Sequence, residues 1–350
     1  MINIKFPWDR YSDQPYVLKK ELKQELRRGH KIDYIKLITT NLIFFPYLFA
    51  RFYFKSKFHK RLIKTPEFYG LCVNLDKGVG QYELVEELGV KSLQIRVFLN
   101  DIKNIDAYVE FAKGFGVDKE ILITIIQDRE HIENPKLLEA DITTIFQKFK
   151  DITDEVMIGN AINRIKWGFV SMEEYLSFYE TIQKIRDRDF PNIKLIGSSI
   201  IDFEYHFTIR TLFNNYKIHY DRVASLLYVD RRGSPYSTQM GIFDLKNKIE
   251  FLETIVRNSK KSENSIYITE TNYPLSGTAP YAPTSEKECV SEELYNRYML
   301  DYFDIALRSQ KVQKVYWHQL IASGYGLVDN RDGKLRKTKA FYSFKELINS

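Results

Sequence analysis

The 350-residue chain is predicted to be an α/β protein, a (β/α)8 TIM barrel carrying a basic, aromatic-rich helical extension at its N-terminus. Three observations carry this. From about Phe68 short apolar runs alternate with helix-length amphipathic stretches; eight such units occur; and at about 35 residues each they fill 284 residues, a length that suits closure of a parallel sheet better than an open doubly wound one. With 44% hydrophobic and 28% charged residues the chain can bury a large core, which excludes wholesale disorder, a collagen-like repeat and a disulfide-stapled miniature.

The extension is expected over 1–66 and the barrel over 67–350. The first 66 residues hold 15 Lys/Arg against 5 Asp/Glu, so the remainder, with 37 against 41, is slightly acidic. An acidic partner is therefore expected for the extension alone. Met1 to Lys20 is polar and lacks the apolar core of a secretory signal. Leu37 to Ala50 is apolar but runs 14 residues between Lys36 and Arg51, short of the roughly 18 to 20 that span a bilayer. Lys55, Lys57, Lys60, Arg61 and Lys64 follow, with Phe58 and His59 among them. Two readings stand: residues 30–64 lie on an anionic membrane surface, or they pack on the barrel as an amphipathic helix pair with cations on the solvated face. No nucleic-acid-binding motif accompanies the charge. Cys72 and Cys289 form neither a zinc nor a redox spacing, and a cytoplasmic protein, peripheral at the inner membrane, is expected.

Strands are expected at Tyr69–Asn74, Ser92–Phe98, Ile121–Ile126, Glu155–Gly159, Lys194–Ser198, Arg222–Leu227, Ser265–Thr269 and Lys314–Trp317, each a short apolar run. Amphipathic stretches place helices near Gln81–Leu88, Ile105–Gly114, Pro135–Phe149, Met172–Arg188, Thr208–Asn215, Ile242–Arg257, Glu292–Arg308 and Lys339–Ile348. Gly78 and Gly80, after the first strand, lack the third glycine of a dinucleotide fingerprint.

Barrel active sites form at the carboxyl ends of the strands. There the chain offers Asn74 and Asp76, Arg96, Gln127 and Asp128, Asn160, Ser198 and Ser199, Tyr228 and Asp230, Glu270 and Asn272, and Trp317, His318 and Gln319. If the last strand continues, His318 points away from Trp317 and is structural. The six histidines are scattered, so neither a metal nor another cofactor is expected.

Two segments, VMIGNAINRIKWG (Val156 to Gly168) and IYITETNYP (Ile266 to Pro274), with an Arg near the end of strand two and a Trp ending strand eight, resemble the clan A retaining glycoside hydrolases over about residues 68 to 348. The resemblance implies that Glu270 is the nucleophile and that the general acid/base position, a Glu following Asn, is occupied here by Ala161. Two carboxyls are wanted because one attacks the anomeric carbon while the other, about 5 to 5.5 Å away, protonates the departing oxygen. Ala161 is read either as a deliberate replacement of Glu, the preferred reading, or as a natural loss. Asp128, Glu130, Glu204 and Asp230 are weak substitutes, since each reaches the leaving group from another angle.

By the same resemblance Asn160 binds the sugar 2-hydroxyl, Arg96 and Tyr228 hold Glu270 ionised, and Trp317 forms a platform under the ring. Gln127, Asn74, Asn272 and Tyr273 complete the expected substrate contacts, with Tyr236 and Tyr281 as further stacking surfaces and Arg231 and Arg232 suited to an acidic glycan. The expected activity is retaining hydrolysis of a bacterial polysaccharide or glycan precursor, impaired at Ala161. The alternatives are a transglycosylase using the same nucleophile and a catalytically inactive glycan-binding or membrane-associated scaffold.

Overall fold

The computed structural model describes residues 6–54, 65–331 and 333–349. Eight parallel strands, β1 (Tyr69–Val73), β2 (Ser92–Phe98), β3 (Glu120–Ile126), β4 (Glu155–Ile158), β5 (Lys194–Ile201), β6 (Arg222–Leu226), β7 (Ile266–Thr271) and β8 (Lys314–Trp317), pair in chain order, and β8 returns to β1 to close the barrel. Each coincides with one of the expected apolar runs. The largest difference is β5, which continues to Ile201 because its register against β6 shifts between Gly197 and Ile200, with Ser198 and Ser199 at positive φ. Both serines are buried beneath the rim instead of standing on it, and the Ser198 hydroxyl meets that of Thr211 at 2.8 Å.

Alternation along the strands separates two cores. Cys72, Leu122, Met157, Ile196, Ala224, Tyr267 and Tyr316 pack inside the barrel. Gly70 makes room for Tyr316, whose ring lies 2.5 Å from where a Cβ would stand. The outward-facing residues pack against the surrounding helices, each fully buried Leu, Ile or Phe contributing about 1.5–3 kcal/mol.

The helices are α1 (Lys20–Arg28) and α2 (Lys31–Tyr53) in the extension, then α3 (Gln81–Leu88), α4 (Ile105–Lys113), α5 (Pro135–Phe149), α6 (Met172–Asp189), α7 (Tyr205–Leu212), α8 (Leu245–Arg257), α9 (Glu292–Ser309) and α10 (Lys339–Asn349). Side chains of Asn134, Ser171, Asp244 and Ser291 cap α5, α6, α8 and α9 by accepting from backbone N–H groups.

The extension packs against the barrel along its length; Leu18 and α1 lie on Ile165 and Val170, and the Tyr34 hydroxyl of α2 donates to the Val170 carbonyl at 2.8 Å. Trp8–Asp9 and Gln14–Pro15 form a small hairpin at the mouth, where Trp8 meets the Phe98 and Trp167 rings edge-on at 5.4 and 5.7 Å. The second half of α2 lies on α7 and α8: Phe44 stacks on Phe213, which ends α7, Phe45 stacks on Tyr205, and Leu48 and Phe52 join the core. At 23 residues α2 outruns the 14-residue apolar stretch, because Lys31, Asp33 and Lys36 also fit its first turns, and it is long and apolar enough, by length and composition alone, to cross a bilayer. On its solvent face Ile32, Ile35, Ile38, Leu42 and Ile43, between 59% and 71% exposed, stand beside the exposed Lys31, Lys36 and Arg51. The Lys55 to Lys64 cluster lies outside the described residues.

Candidate active site

A cavity of about 170 Å³ opens at the carboxyl ends of the strands, lined by Arg96, Tyr228, Glu270 and Asn272 of the expected set, together with Arg164, Lys166, Trp167, Asp202, Arg232, His318, Tyr325 and the hairpin residues Ser12, Asp13 and Gln14. Glu270 is the penultimate residue of β7 and is partly accessible from the cavity. Its Oε1 accepts from the Tyr228 hydroxyl at 2.7 Å. Burial pushes the Glu270 carboxyl above the usual carboxylate range, while the Tyr228 hydroxyl and then Arg96 and Arg232 pull it back. The Arg232 guanidinium lies 3.7 Å from the centre of the Tyr228 ring, a cation–π contact that holds the phenol in place.

The two other carboxylates of the cavity are engaged by cations. Asp13 pairs with Lys77 at 2.9 Å, stands 3.9 Å from Arg96 and accepts from Gln319 at 3.2 Å. Asp202 receives Arg164 on one oxygen at 2.7 Å and Arg232 on the other at 3.3 Å. Among the described residues lining the cavity, Glu270 is thus the carboxylate with no Lys or Arg within ion-pair distance.

Ala161 stands on the loop after β4 with φ at +46° and is 0% exposed, packed in a cluster with Ile126, Trp167, Leu226 and Tyr228. It does not line the cavity, to which Trp167 and Tyr228 of the same cluster contribute instead.

Five expected contacts lie elsewhere. Asn74 is buried between Arg96, which donates to its Oδ1 at 3.0 Å, and Gln319. Gln127 braces the β4 loop by donating to the carbonyls of Asn160 and Trp167 and accepting from the Asn160 N–H. Asn160, 2% exposed, is likewise absent from the lining. The platform assigned to Trp317 is not available: Tyr316 points into the barrel, so the next side chain points outward. Trp317 is 0% exposed, donates to the Tyr295 hydroxyl at 2.7 Å and packs against Tyr302 and Phe303. Tyr273 is buried against it and Tyr298 and cannot stack on a sugar.

His318 also departs from expectation, lining the cavity because β8 ends at Trp317 and strand alternation no longer applies. Its ring stacks on Tyr325, and burial, then Arg96 and Lys77, keep it neutral well below the usual histidine range. Asp13, Gln14, Tyr325 and Lys166 escaped sequence reasoning. Lys166, in NRIKWG two residues after Arg164, carried a signal in its sequence neighbours; the hairpin residues, far from the barrel in the chain, carried none. His219, Asp221 and Glu263 fall within metal-ligand reach at the start of β6, but Arg186 takes Asp221 and Arg222 takes Glu263.

No protein-family model and no curated protein matches the chain. Among solved structures it is similar to the family 1 β-glucosidase from Thermotoga maritima, at 12% identity and a TM-score of 0.60 over 83% of this chain and 99% of that one. The Thermotoga maritima β-glucosidase in complex with methoxycarbonyl-substituted glucoimidazole aligns with a TM-score of 0.62, at the same identity and coverage. The virulence factor SghA in complex with its substrate analogue salicin aligns at 10% identity with a TM-score of 0.58 over 81% of this chain and 96% of that one. At these identities the likeness shows the (β/α)8 fold.

Proposed function

We propose that the chain processes a glycan by the retaining route, with Glu270 as nucleophile. The observation that carries this is the state of Glu270: a carboxylate at the carboxyl end of β7, facing a cavity, oriented by one hydroxyl and free of a salt bridge. Its structural neighbours include a β-glucosidase in complex with methoxycarbonyl-substituted glucoimidazole and the virulence factor SghA in complex with its substrate analogue salicin, which supports a saccharide as the ligand here. Attack by Glu270 on the anomeric carbon forms a glycosyl ester that a second nucleophile opens, giving hydrolysis with water and transglycosylation with a sugar hydroxyl. Arg96 and Tyr228 keep the nucleophile ionised and aimed.

The enclosure of Ala161 supports a natural loss of the acid/base carboxyl over a deliberate truncation, reversing the preference drawn from sequence. A Glu side chain there would have to displace Trp167 or Tyr228. The same enclosure favours, as second reading, a glycan-binding protein without turnover. Glycosyl fluorides separate the two, since fluoride leaves without a proton. A panel of α- and β-fluorides is expected to be hydrolysed by the wild type and not by Glu270→Gln. Equal rates in both would end the nucleophile assignment.

For context we propose contact with an anionic membrane through the exposed Ile32, Ile35, Ile38, Leu42 and Ile43 face of α2, flanked by Lys31, Lys36 and Arg51, with the protein on the cytoplasmic side. A bacterial surface polysaccharide or its lipid-linked precursor is the substrate class this setting suggests.

A further inference from the structure

A cavity of about 380 Å³ adjoins the first and shares Arg164, Asp202, Tyr228, Arg232 and Thr284 with it. If Glu270 attacks from β7, the leaving group departs towards the β4 loop, where an acid/base carboxyl would stand. That side carries both signs, Arg164, Arg231 and Arg232 standing among Asp202, Glu204, Asp230 and Glu288. Arg164 and Lys166 come from the β4 loop, and Arg231 and Arg232 from the β6 loop, both residues at positive φ.

Two of these cations have unmet capacity. Lys166 donates to the Gln14 side-chain oxygen at 2.6 Å, and no carboxylate lies within ion-pair distance of it among the described residues. Burial, then Arg164, draws its ammonium down to about 8, the state of a lysine still lacking its anion. Arg232 places one nitrogen on Asp202, but its Nε–H is buried without an acceptor. Together, Lys166 and the Arg232 Nε–H are donors left over beside a space whose nearby carboxylates, Asp202 and Glu204, are already taken by Arg164 and Arg232.

We propose that this cleft takes a saccharide with an anomeric phosphate or diphosphate, held by Lys166 and Arg232, and that such a leaving group makes a carboxylic acid at position 161 unnecessary. The proposal rests on Glu270 being the nucleophile. In the first step a Glu270 oxygen bonds to C1 while the C1–O bond to phosphate breaks, and the electron pair leaves on the phosphate oxygen. A diphosphate needs no added proton, because the oxygen it leaves on has the weak basicity of a phosphate second ionisation, and a monophosphate leaves as hydrogen phosphate from its singly protonated form. The factor of about 10² to 10⁴ that a general acid supplies for a poor leaving group is not lost here. In the second step water or a sugar hydroxyl attacks C1, Glu270 departs as carboxylate, and the proton passes to the departed hydrogen phosphate or diphosphate, whose last ionisation lies at about 6.

The test uses the full chain and two probes that separate this inference from the nucleophile assignment. Titration calorimetry with pyrophosphate, inorganic phosphate and glucuronate is expected to show pyrophosphate or phosphate bound more tightly than the carboxylate. Lys166→Gln and Arg232→Gln, on different loops and each checked for an unchanged fold by circular dichroism, are each expected to weaken binding about tenfold or more. Glycosyl 1-phosphates and polyprenyl-diphosphate sugars, assayed in parallel, tell a soluble donor from a lipid-linked one, and turnover of either supports the proposal. No phosphate binding, preference for glucuronate, or unchanged affinity in both variants overturns it. If glycosyl fluorides are still hydrolysed in that event, Glu270 stands and the phosphate site alone falls. Phosphate binding without fluoride hydrolysis overturns the leaving-group step and leaves only an anion site.

Discussion

Replacing Tyr228 by Phe removes one hydroxyl and keeps the ring on which Arg232 lies, so it isolates the hydrogen bond to Glu270. A buried hydrogen bond to a charged acceptor contributes about 1.5–3 kcal/mol, and its loss leaves a carboxylate oxygen unsatisfied. With an unfolding entropy of about 2.1 cal/mol/K per residue over 350 residues, this is a fall in Tm of about 2–4 °C. The loss acts on the ionised carboxylate. Because the folded-state pKa of Glu270 is raised, its charged form weakens the fold as pH climbs from the unfolded value of 4.5 through the folded one. Without the Tyr228 donor that weakening grows. The difference between wild type and Tyr228→Phe, followed by differential scanning calorimetry from pH 4 to 8, is therefore expected to be small in acid and full at neutral pH. A difference of the same size at every pH would show that the hydroxyl does not act on the Glu270 charge.

Other outcomes follow from single contacts. His131 is clamped between Asp128 and Asp141, each at 2.8 Å; burial draws its pKa down, but the two aspartates outweigh it and the net shift is upward. Its contribution is complete below pH 6.5 and fades as pH rises through the raised value, so the Tm gap between wild type and His131→Gln should close above that point. Trp317→Ala should cost about 3–5 kcal/mol in chemical denaturation, as for a core residue, where a sugar platform would instead have raised KM with stability intact. Ala161→Glu should lower Tm and give no gain on unactivated glycosides; a gain of about a hundredfold would mean that an emptied acid/base slot is present after all. Ile35→Ser with Leu42→Ser should abolish sedimentation of the full chain with vesicles containing phosphatidylserine, and equal sedimentation would remove the α2 face as a membrane contact.

The barrel was legible because every strand is an apolar run and every crossover an amphipathic stretch, so local pattern and closed topology agree. Glu270 was legible because a carboxylate at the end of an apolar strand has a cost that asks for a reason. What failed was direction. Trp317 and Tyr273 sit at strand ends, where one step of alternation decides between the cavity and the helix layer, and both turn into that layer. Ser198 was misplaced by a register shift that composition does not reveal. The hairpin contributing Asp13 and Gln14 was hidden because its partners Lys77, Lys166, Pro283 and Gln319 are spread over the chain. The α2 aromatics were legible as a packing face, whereas the exposed Ile and Leu of its other side lie in a stretch too uniformly apolar for composition to assign to one face.

A 2-deoxy-2-fluoroglycosyl fluoride traps a retaining nucleophile by slowing the second step, and peptide mass spectrometry then locates the sugar. Across gluco, galacto and manno reagents of both anomeric forms, one glycosyl adduct is expected on the peptide containing Glu270, absent in Glu270→Gln. An adduct on another carboxylate, or none with any reagent, would contradict the claim that β7 supplies the nucleophile.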